Sequence, residues 1–409
     1  MKKKIYLDNA AASQPSGVVL KAIKPFLQGF FGNPSSLHEY GRENRIAIES
    51  SREDISRILN CKPKEIIFTA GGTESINLAI LGVAKAYQSK YNKPGSIIVS
   101  SIEHEAVLES VKALSQWGWK IFYAQVDSQG FINPNEIKSL IKNDTALISI
   151  MYANNEVGTI EPLQKIGEII SGINKIRAQK KLPQIYFHTD ACQAGGVLDL
   201  DVHKLKVDLL TLNGSKLNGP KGSGLLYKKS GVKIEPIIYG GGQEQGLRSG
   251  TENVLGIVGL AAALTYAHEA RSKNVKKLLD LQTYLEKQLI KNKSISINGP
   301  VNGKLILADN NFGLHKLPGT INFSIDGVEG EALMYYLDGA GFSVATGSAC
   351  TTGSEDPSHV LLAMGLGKDK AKSTIRISLS YDITKQQLDQ FVKTLNKQIQ
   401  LLKHTINEL

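Results

Sequence analysis

Short apolar, β-rich runs alternate along this chain with longer stretches in which apolar residues recur every three or four positions. The runs cover 65–69, 96–100, 120–123, 146–151, 184–188 and 207–212. Parallel strands need a crossover connection, usually a helix, so this alternation predicts an α/β fold around a mostly parallel sheet. Several runs end in polar or glycine-rich turns: Thr69-Ala70-Gly71-Gly72, Ser101-Ile102-Glu103-His104, Asn154-Asn155-Glu156, Thr189-Asp190 and Asn213-Gly214-Ser215-Lys216. In open parallel sheets the ligand crevice lies outside the carboxyl ends of the strands, so one site is expected to collect all five turns.

After Thr251 the texture changes. A long helical stretch carries Val275, Leu278, Leu281, Leu285 and Leu289 at three- and four-residue spacing. Strand patterns follow at 319–325 and 374–379, separated by a small-residue loop at 343–357. The expected organisation is a large domain over 14–262 and a smaller α+β domain assembled from 1–13 and 263–409.

With 409 residues, a lone binding module is excluded, and 42% hydrophobic against 21% charged residues excludes wholesale disorder. Lys plus Arg number 48 against 38 for Asp plus Glu, a net charge of +10. That permits an acidic partner. The basic residues are spread along helical stretches such as 273–293 without an aromatic-interleaved arginine block, so a solvated cationic surface is expected rather than direct nucleic-acid binding. The three cysteines, Cys61, Cys192 and Cys350, are odd in number and lack CxxC spacing, which fits a reducing compartment and neither a disulfide framework nor a zinc site. Lys2-Lys3-Lys4 is followed only by Ile5-Tyr6-Leu7, too short for a secretory signal. The longest apolar run, 254–264, falls short of the roughly 18 residues of a membrane span. No membrane partner is expected, and a cytoplasmic location is.

Six positions could carry chemistry. Lys216, at a strand end among small residues, is a Schiff-base candidate, or a loop lysine at the surface. Asp190, at the next strand end, could hold a pyridinium nitrogen protonated, or cap a helix. The turn Ala70-Gly71-Gly72-Thr73-Glu74-Ser75 offers bare amides and a hydroxyl at a helix start, a phosphate cradle; with no Walker lysine and no GxGxxG, nucleotide binding is disfavoured. His104 could stack on an aromatic cofactor and move protons, or be a structural histidine; no histidine lies at i+4 to pair with it on a metal. Cys350 sits in a loop of small and polar residues, where a thiol can reach a substrate and swing away. Arg376, on the alternating segment Thr374-Ile375-Arg376-Ile377-Ser378, could clamp a carboxylate or lie on a wet strand face.

Together these residues resemble the cysteine desulfurases of the NifS/IscS-like group, within the class V aminotransferase branch of fold-type I pyridoxal-phosphate enzymes. The likeness is carried by Tyr6-Leu7-Asp8-Asn9-Ala10-Ala11, Phe31-Gly32-Asn33-Pro34-Ser35-Ser36, Thr73-Glu74-Ser75, Glu103-His104, Asn154-Asn155-Glu156-Val157-Gly158, Asp190, Gln193 and Arg248-Ser249-Gly250-Thr251. Gly347-Ser348-Ala349-Cys350 is the most specific piece, separating sulfur-abstracting members from plain aminotransferases. The resemblance implies the fold-type I architecture and pyridoxal 5'-phosphate joined to Lys216. Asp190 would pair with the ring nitrogen, Gln193 and Asn155 would lie near the phenolic oxygen, and His104 would stack on the ring. Gly72, Thr73, Asn213 and Ser215 would hold the phosphate, with Thr251 reaching over from a second subunit of a homodimer. Arg376, with Asn33 and Asn155, would bind the carboxylate of L-cysteine, and Cys350 would take its sulfur as a persulfide, leaving L-alanine.

An acceptor protein would then receive the sulfur, either an iron-sulfur scaffold or a tRNA-thiolation enzyme. Other readings are a selenocysteine lyase, a class V aminotransferase with an incidental loop cysteine, or an idle homologue that carries sulfur or binds tRNA. Three positions depart from the pattern: family members usually have serine and histidine where Asn213 and Ser215 stand, and tyrosine at Asn218. The change at Asn213 and Ser215 removes one cationic or imidazole phosphate contact, so lower cofactor affinity is expected from it; the sequence offers no physical reason for Asn218. Scaffold-binding relatives carry a longer C-terminal extension than the stretch ending at Leu409, which leaves the acceptor open.

Overall fold

Apolar residues on both faces of a strand require cover on both faces, and the central sheet meets that requirement. The structure is a computed structural model and describes residues 4–302, 313–347 and 356–407. In chain order its strands are β1 (Ile5–Tyr6), β2 (Ile66–Thr69), β3 (Ser96–Ser100), β4 (Lys120–Ala124), β5 (Thr145–Ser149), β6 (Tyr186–Asp190), β7 (Leu209–Asn213), β8 (Gly224–Lys228), β9 (Ile295–Asn298), β10 (Thr320–Ile325), β11 (Phe342–Ser343) and β12 (Thr374–Ser378).

Seven of them form the large sheet, in the order β2-β8-β7-β6-β5-β3-β4. Alternate residues of each strand feed opposite cores. Ile66, Phe68, Ile98, Ile148, Leu210, Leu212 and Leu225 pack on one side. Ile67, Ile97, Val99, Leu147, Leu209 and Leu226 pack on the other. Only β8 runs against its neighbours; the rest of the sheet is parallel in direction. The carboxyl ends of β2, β3, β5, β6 and β7 therefore open on one edge.

Helices connect these strands: α1 (Gly17–Gln28), α2 (Glu39–Leu59), α3 (Gly72–Tyr91) and α4 (Glu105–Gln116) come first. A third core lies apart. There β10 pairs antiparallel with β9 and β12. Their residues Ile321, Phe323, Ile375 and Ile377 pack with Leu281 and Leu285 of helix Arg271–Leu289 and with Leu388, Phe391 and Leu395 of helix Lys385–Asn407. Ile5 and Leu7 join this core, and β1 pairs parallel with β11. Among the described residues no helix is long and apolar enough to cross a membrane.

The strands β1, β8, β9 and β11 were not expected from the sequence, β6 is shifted, and of the two readings open for Arg376 the wet face falls away. β8 was not anticipated: its Leu225-Leu226-Tyr227 is a short apolar run that returns to the sheet as the antiparallel partner of β7, so no helix precedes it to mark it. β6 runs two residues further than expected, so Asp190 is its last residue rather than following it. β12 has no wet face, because its outer side is covered by the large sheet's turns and by Asp8; all five of its residues are buried.

Candidate active site

Lys216 owes its position to a short 3-10 turn, Gly214–Lys216, at the end of β7. The Asn213 side chain caps that turn, its Oδ1 accepting from the Ser215 N–H and Ser215 Oγ, both at 3.1 Å. Gly214 allows a close approach that no side chain could share, since a Cβ there would stand 2.3 Å from Ser223 Oγ. Beyond Lys216 the chain turns at Asn218, whose φ of 56° is the left-handed conformation that asparagine tolerates well. Its Nδ2 donates to Gln14 O at 2.8 Å and its N–H to Ser13 Oγ at 2.7 Å, tying the lysine turn to the segment ahead of α1. The Lys216 Nζ donates to Ala11 O at 2.5 Å.

His104 caps the helix α4 within the electrostatic reach of Lys216. Its Nδ1 accepts from Ala106 N at 3.0 Å as the N-cap of α4, which leaves the neutral ring its proton on Nε2. Burial lowers its pKa below the usual histidine value; Asp190 pulls it up and Lys216 pushes it down, so all three groups share one electrostatic neighbourhood. The preceding residue, Glu103, is fully buried and joins the end of β3 to the turn after β5, accepting from Ser100 Oγ at 2.6 Å and Met151 N at 2.7 Å. Burial pushes its carboxyl up to about 8.

Asp190 caps no helix. Its Oδ1 accepts from Cys192 N at 2.9 Å, and the residue is 7% exposed. The Cys192 thiol, raised well above its ordinary pKa by burial, closes the floor together with Asn213. A Cβ at Gly72 would stand 3.0 Å from Cys192 Sγ and 3.5 Å from Asn213 Nδ2. Gly72 and Thr73 open α3, whose first N–H groups have no intrahelical acceptor. That end is braced by Arg248 Nε donating to Glu74 Oε1 at 2.9 Å. Gln193 Nε2 donates to Ala10 O at 3.0 Å.

Arg376 is 2% exposed. Its Nη1 donates to Asn155 O at 3.2 Å and its Nη2 to Asp8 Oδ1 at 2.7 Å. Its Nε is buried without a hydrogen-bond partner among the described residues. Asn33 and Thr251 are exposed, and neither hydrogen-bonds to these groups among the described residues. Cys350 lies outside the described residues. The contributions of Asp8, Glu103 and Glu156 were not assigned from the sequence; their only signal there was membership of the motifs around them.

Residues 5–391 match the family description Aminotransferase class-V. The chain belongs to that family. A cysteine desulfurase IscS from Dictyoglomus turgidum is 43% identical over 404 residues, spanning 98% of this chain and 96% of the relative. Among solved structures, a NifS-like protein superposes with a TM-score of 0.86 at 36% identity, covering 98% of this chain and 100% of its own. The complex of SspA with cysteine gives 0.75 at 34% identity, covering 92% and 99%. Class V aminotransferases of this group are pyridoxal-phosphate enzymes, and this chain is one of them.

The residues present fit that cofactor. The amide-bearing start of a 20-residue helix suits a phosphate, a nearly buried carboxylate suits a ring nitrogen, and a lysine on the turn after the neighbouring strand suits an aldehyde. Among the described residues no cluster of three or more His, Cys, Asp or Glu side chains could hold a metal ion.

Proposed function

We propose that this chain is a cysteine desulfurase, releasing L-alanine from L-cysteine and carrying the sulfur on Cys350. The observation that carries this reading is that His104, Asp190 and Lys216 stand at strand ends on one edge of the sheet and act on one another electrostatically, while Arg376, bonded to the turn after β5, is buried with its Nε lacking a partner among the described residues. A buried guanidinium N–H in that state calls for an anionic acceptor, and the carboxylate of an amino acid supplies one. When bound, pyridoxal 5'-phosphate supplies an electron sink for the substrate's carbon framework.

Gly72, Thr73, Asn213 and Ser215 would hold its phosphate, Asp190 its ring nitrogen, Gln193 and Asn155 its phenolic oxygen, and the His104 ring would lie on its face. Lys216 Nζ would hold the cofactor's aldehyde carbon, and with a substrate bound the same amine would take the proton from the substrate Cα. Arg376 fixes the carboxylate with Asn155 and Asn33 beside it. The Cys350 thiolate attacks the substrate sulfur: the S–S bond forms as the Cβ–S bond breaks, and the electron pair stays with carbon. With a proton delivered to Cβ and the proton held by Lys216 returned to Cα, L-cysteine plus a cysteine thiol gives L-alanine plus a persulfide, needing no outside oxidant or reductant.

The chain is also read as a homodimer. α1, α2 and the loop between them leave the apolar side chains of Leu20, Leu27, Phe31, Leu37, Tyr40 and Ile46 exposed, which a second subunit would cover, and Thr251 is exposed as well. The division into 14–262 and 1–13 with 263–409, delivery of sulfur to an iron-sulfur scaffold or a tRNA-thiolation enzyme, and a cytoplasmic location belong to the same reading. The test is the absorption spectrum of the purified protein. It carries a cofactor band that changes on adding L-cysteine and is missing in Lys216→Ala. A protein that stays colourless with added cofactor refutes the proposal.

A further inference from the structure

Glu156 is a buried carboxyl to which the mechanism above gives no work. Its Oε2 accepts from Ser358 Oγ at 2.6 Å. The Gly347 backbone lies against the same oxygen, for a Cβ at 347 would stand 2.7 Å from it. These two residues sit three positions before and eight positions after Cys350. One oxygen atom therefore meets the chain on both sides of the proposed sulfur carrier.

The turn that presents Glu156 also meets Arg376. The Glu156 N–H donates to Asn154 Oδ1 at 2.8 Å, which shapes the turn, and the neighbouring Asn155 O accepts from Arg376 Nη1 at 3.2 Å. Ala345, two residues before Gly347, exchanges both backbone hydrogen bonds with Arg376, at 3.1 and 2.7 Å. On the far side His359, adjacent to Ser358, donates from Nε2 to Glu103 O at 2.9 Å. The chain entering the Cys350 segment is thus pinned to Arg376, and the chain leaving it is pinned to Glu156 and to the residue before His104.

We propose that Glu156 is a positioning residue that ties the chain on either side of the Cys350 segment to the turn holding Arg376, and that this tether governs how fast Cys350 takes the substrate's sulfur. The inference rests on the function proposed above. Glycine at 347 has a steric reason within it, because a side chain would displace the carboxyl from Ser358. A carboxyl suits the position because a single oxygen can accept from the hydroxyl while lying against backbone. Burial raises the Glu156 pKa, with Ser358, His359 and Arg376 opposing the rise.

The test separates substrate seating from thiol delivery. Three variants are compared with the parent holoenzyme: Ser358→Ala, Glu156→Ala and Glu156→Gln, the last keeping an oxygen for Ser358. For each, the half-saturating L-cysteine concentration is read from the cofactor's absorbance change, and alanine release is read in a single turnover. The rate of Cys350 alkylation by iodoacetamide is read without substrate. Ser358→Ala and Glu156→Ala are expected to keep half-saturation within about twofold, slow alanine release roughly tenfold or more, and change the alkylation rate, while Glu156→Gln recovers most of the parent values.

Parent-like alanine release and alkylation in Ser358→Ala overturn the proposal. So does a loss of alanine release that follows a loss of cysteine binding, since that makes Glu156 part of the substrate seat. Ser358→Ala removes one hydroxyl and keeps the test decisive if Glu156→Ala fails to fold. Alkylation needs no turnover, so the tether is still read if the parent makes no alanine, an outcome that refutes only the proposed function.

Discussion

Asp8 Oδ1 accepts a hydrogen bond from Arg376 Nη2 at 2.7 Å, joining positions 368 residues apart in sequence. The pair holds a guanidinium at 2% exposure beside a carboxylate side chain at 18%. Removing the carboxylate leaves a buried cation short of a counterion, which costs about 3 kcal/mol by analogy with other buried pairs. Asp8→Ala is expected to unfold at lower urea than the parent. A bound amino-acid carboxylate takes over part of the lost role, so L-alanine raises the melting temperature of Asp8→Ala more than that of the parent. Equal shifts in thermal unfolding would show that Arg376 does not face the amino-acid site.

Arg52 and Glu244 make a second buried pair, at 9% and 3% side-chain exposure. Nη2 of Arg52 meets Glu244 Oε1 at 2.7 Å, and Glu244 Oε2 accepts from Phe68 N at 2.7 Å. This clasp anchors the loop leading to Arg248 and Thr251 onto β2. Glu244→Ala is expected to cost roughly 3–5 kcal/mol in chemical denaturation, and Arg52→Met combined with Glu244→Leu to recover much of it. A single-mutant cost under about 1 kcal/mol would remove the clasp from the account.

Glu161 gives the fold a pH dependence of known sign. It is 2% exposed, its Oε2 accepts from Ile132 N at 3.1 Å, and burial pushes its carboxyl up to about 8 from an unfolded value of 4.5. The folded state binds the proton more tightly than the unfolded one, so stability from this group is present at acid pH and is lost as pH rises from about 4.5 towards 8. Glu161→Gln is expected to improve in stability relative to the parent between pH 5.5 and pH 8, as measured by urea unfolding at both. A stability difference independent of pH contradicts the assignment.

At Asn218 the backbone constraint decides the outcome. With φ at 56° and two hydrogen bonds to residues 13 and 14, Asn218→Val is expected to lose roughly 1–3 kcal/mol of stability, while Asn218→Gly keeps the conformation and loses less. Thermal unfolding of the two variants distinguishes them; equal losses would mean that the side chain's bond to Gln14 O matters and the conformation does not.

The strand ends were legible because the signals are local: an apolar run and the polar turn after it are contiguous, so Gly72, His104, Asp190 and Lys216 could be assigned to one edge of a sheet before any coordinates. What joins them was not. Asp8 and Arg376, or Glu156 with Gly347 and Ser358, meet only through the fold, and single-chain periodicity carries no signal over such separations. Alternation along β12 gave Arg376 a face but not what covers it, since an outer side packed on distant parts of the chain reads the same as one in water. Asn218, a departure without explanation in the sequence, acquires one from its backbone angle. Asn213 likewise gains a role as the cap of the lysine turn.

The central claim is that sulfur passes from L-cysteine to the thiol at position 350. The most direct measurement is mass spectrometry of the peptide containing Cys350 after acid quenching of a single turnover, with alanine quantified in the same sample. The account predicts a gain of one sulfur atom on Cys350 for each alanine formed, and neither product in Cys350→Ala. Alanine released at the normal rate by Cys350→Ala, or formed while the Cys350 peptide keeps its mass, would contradict it.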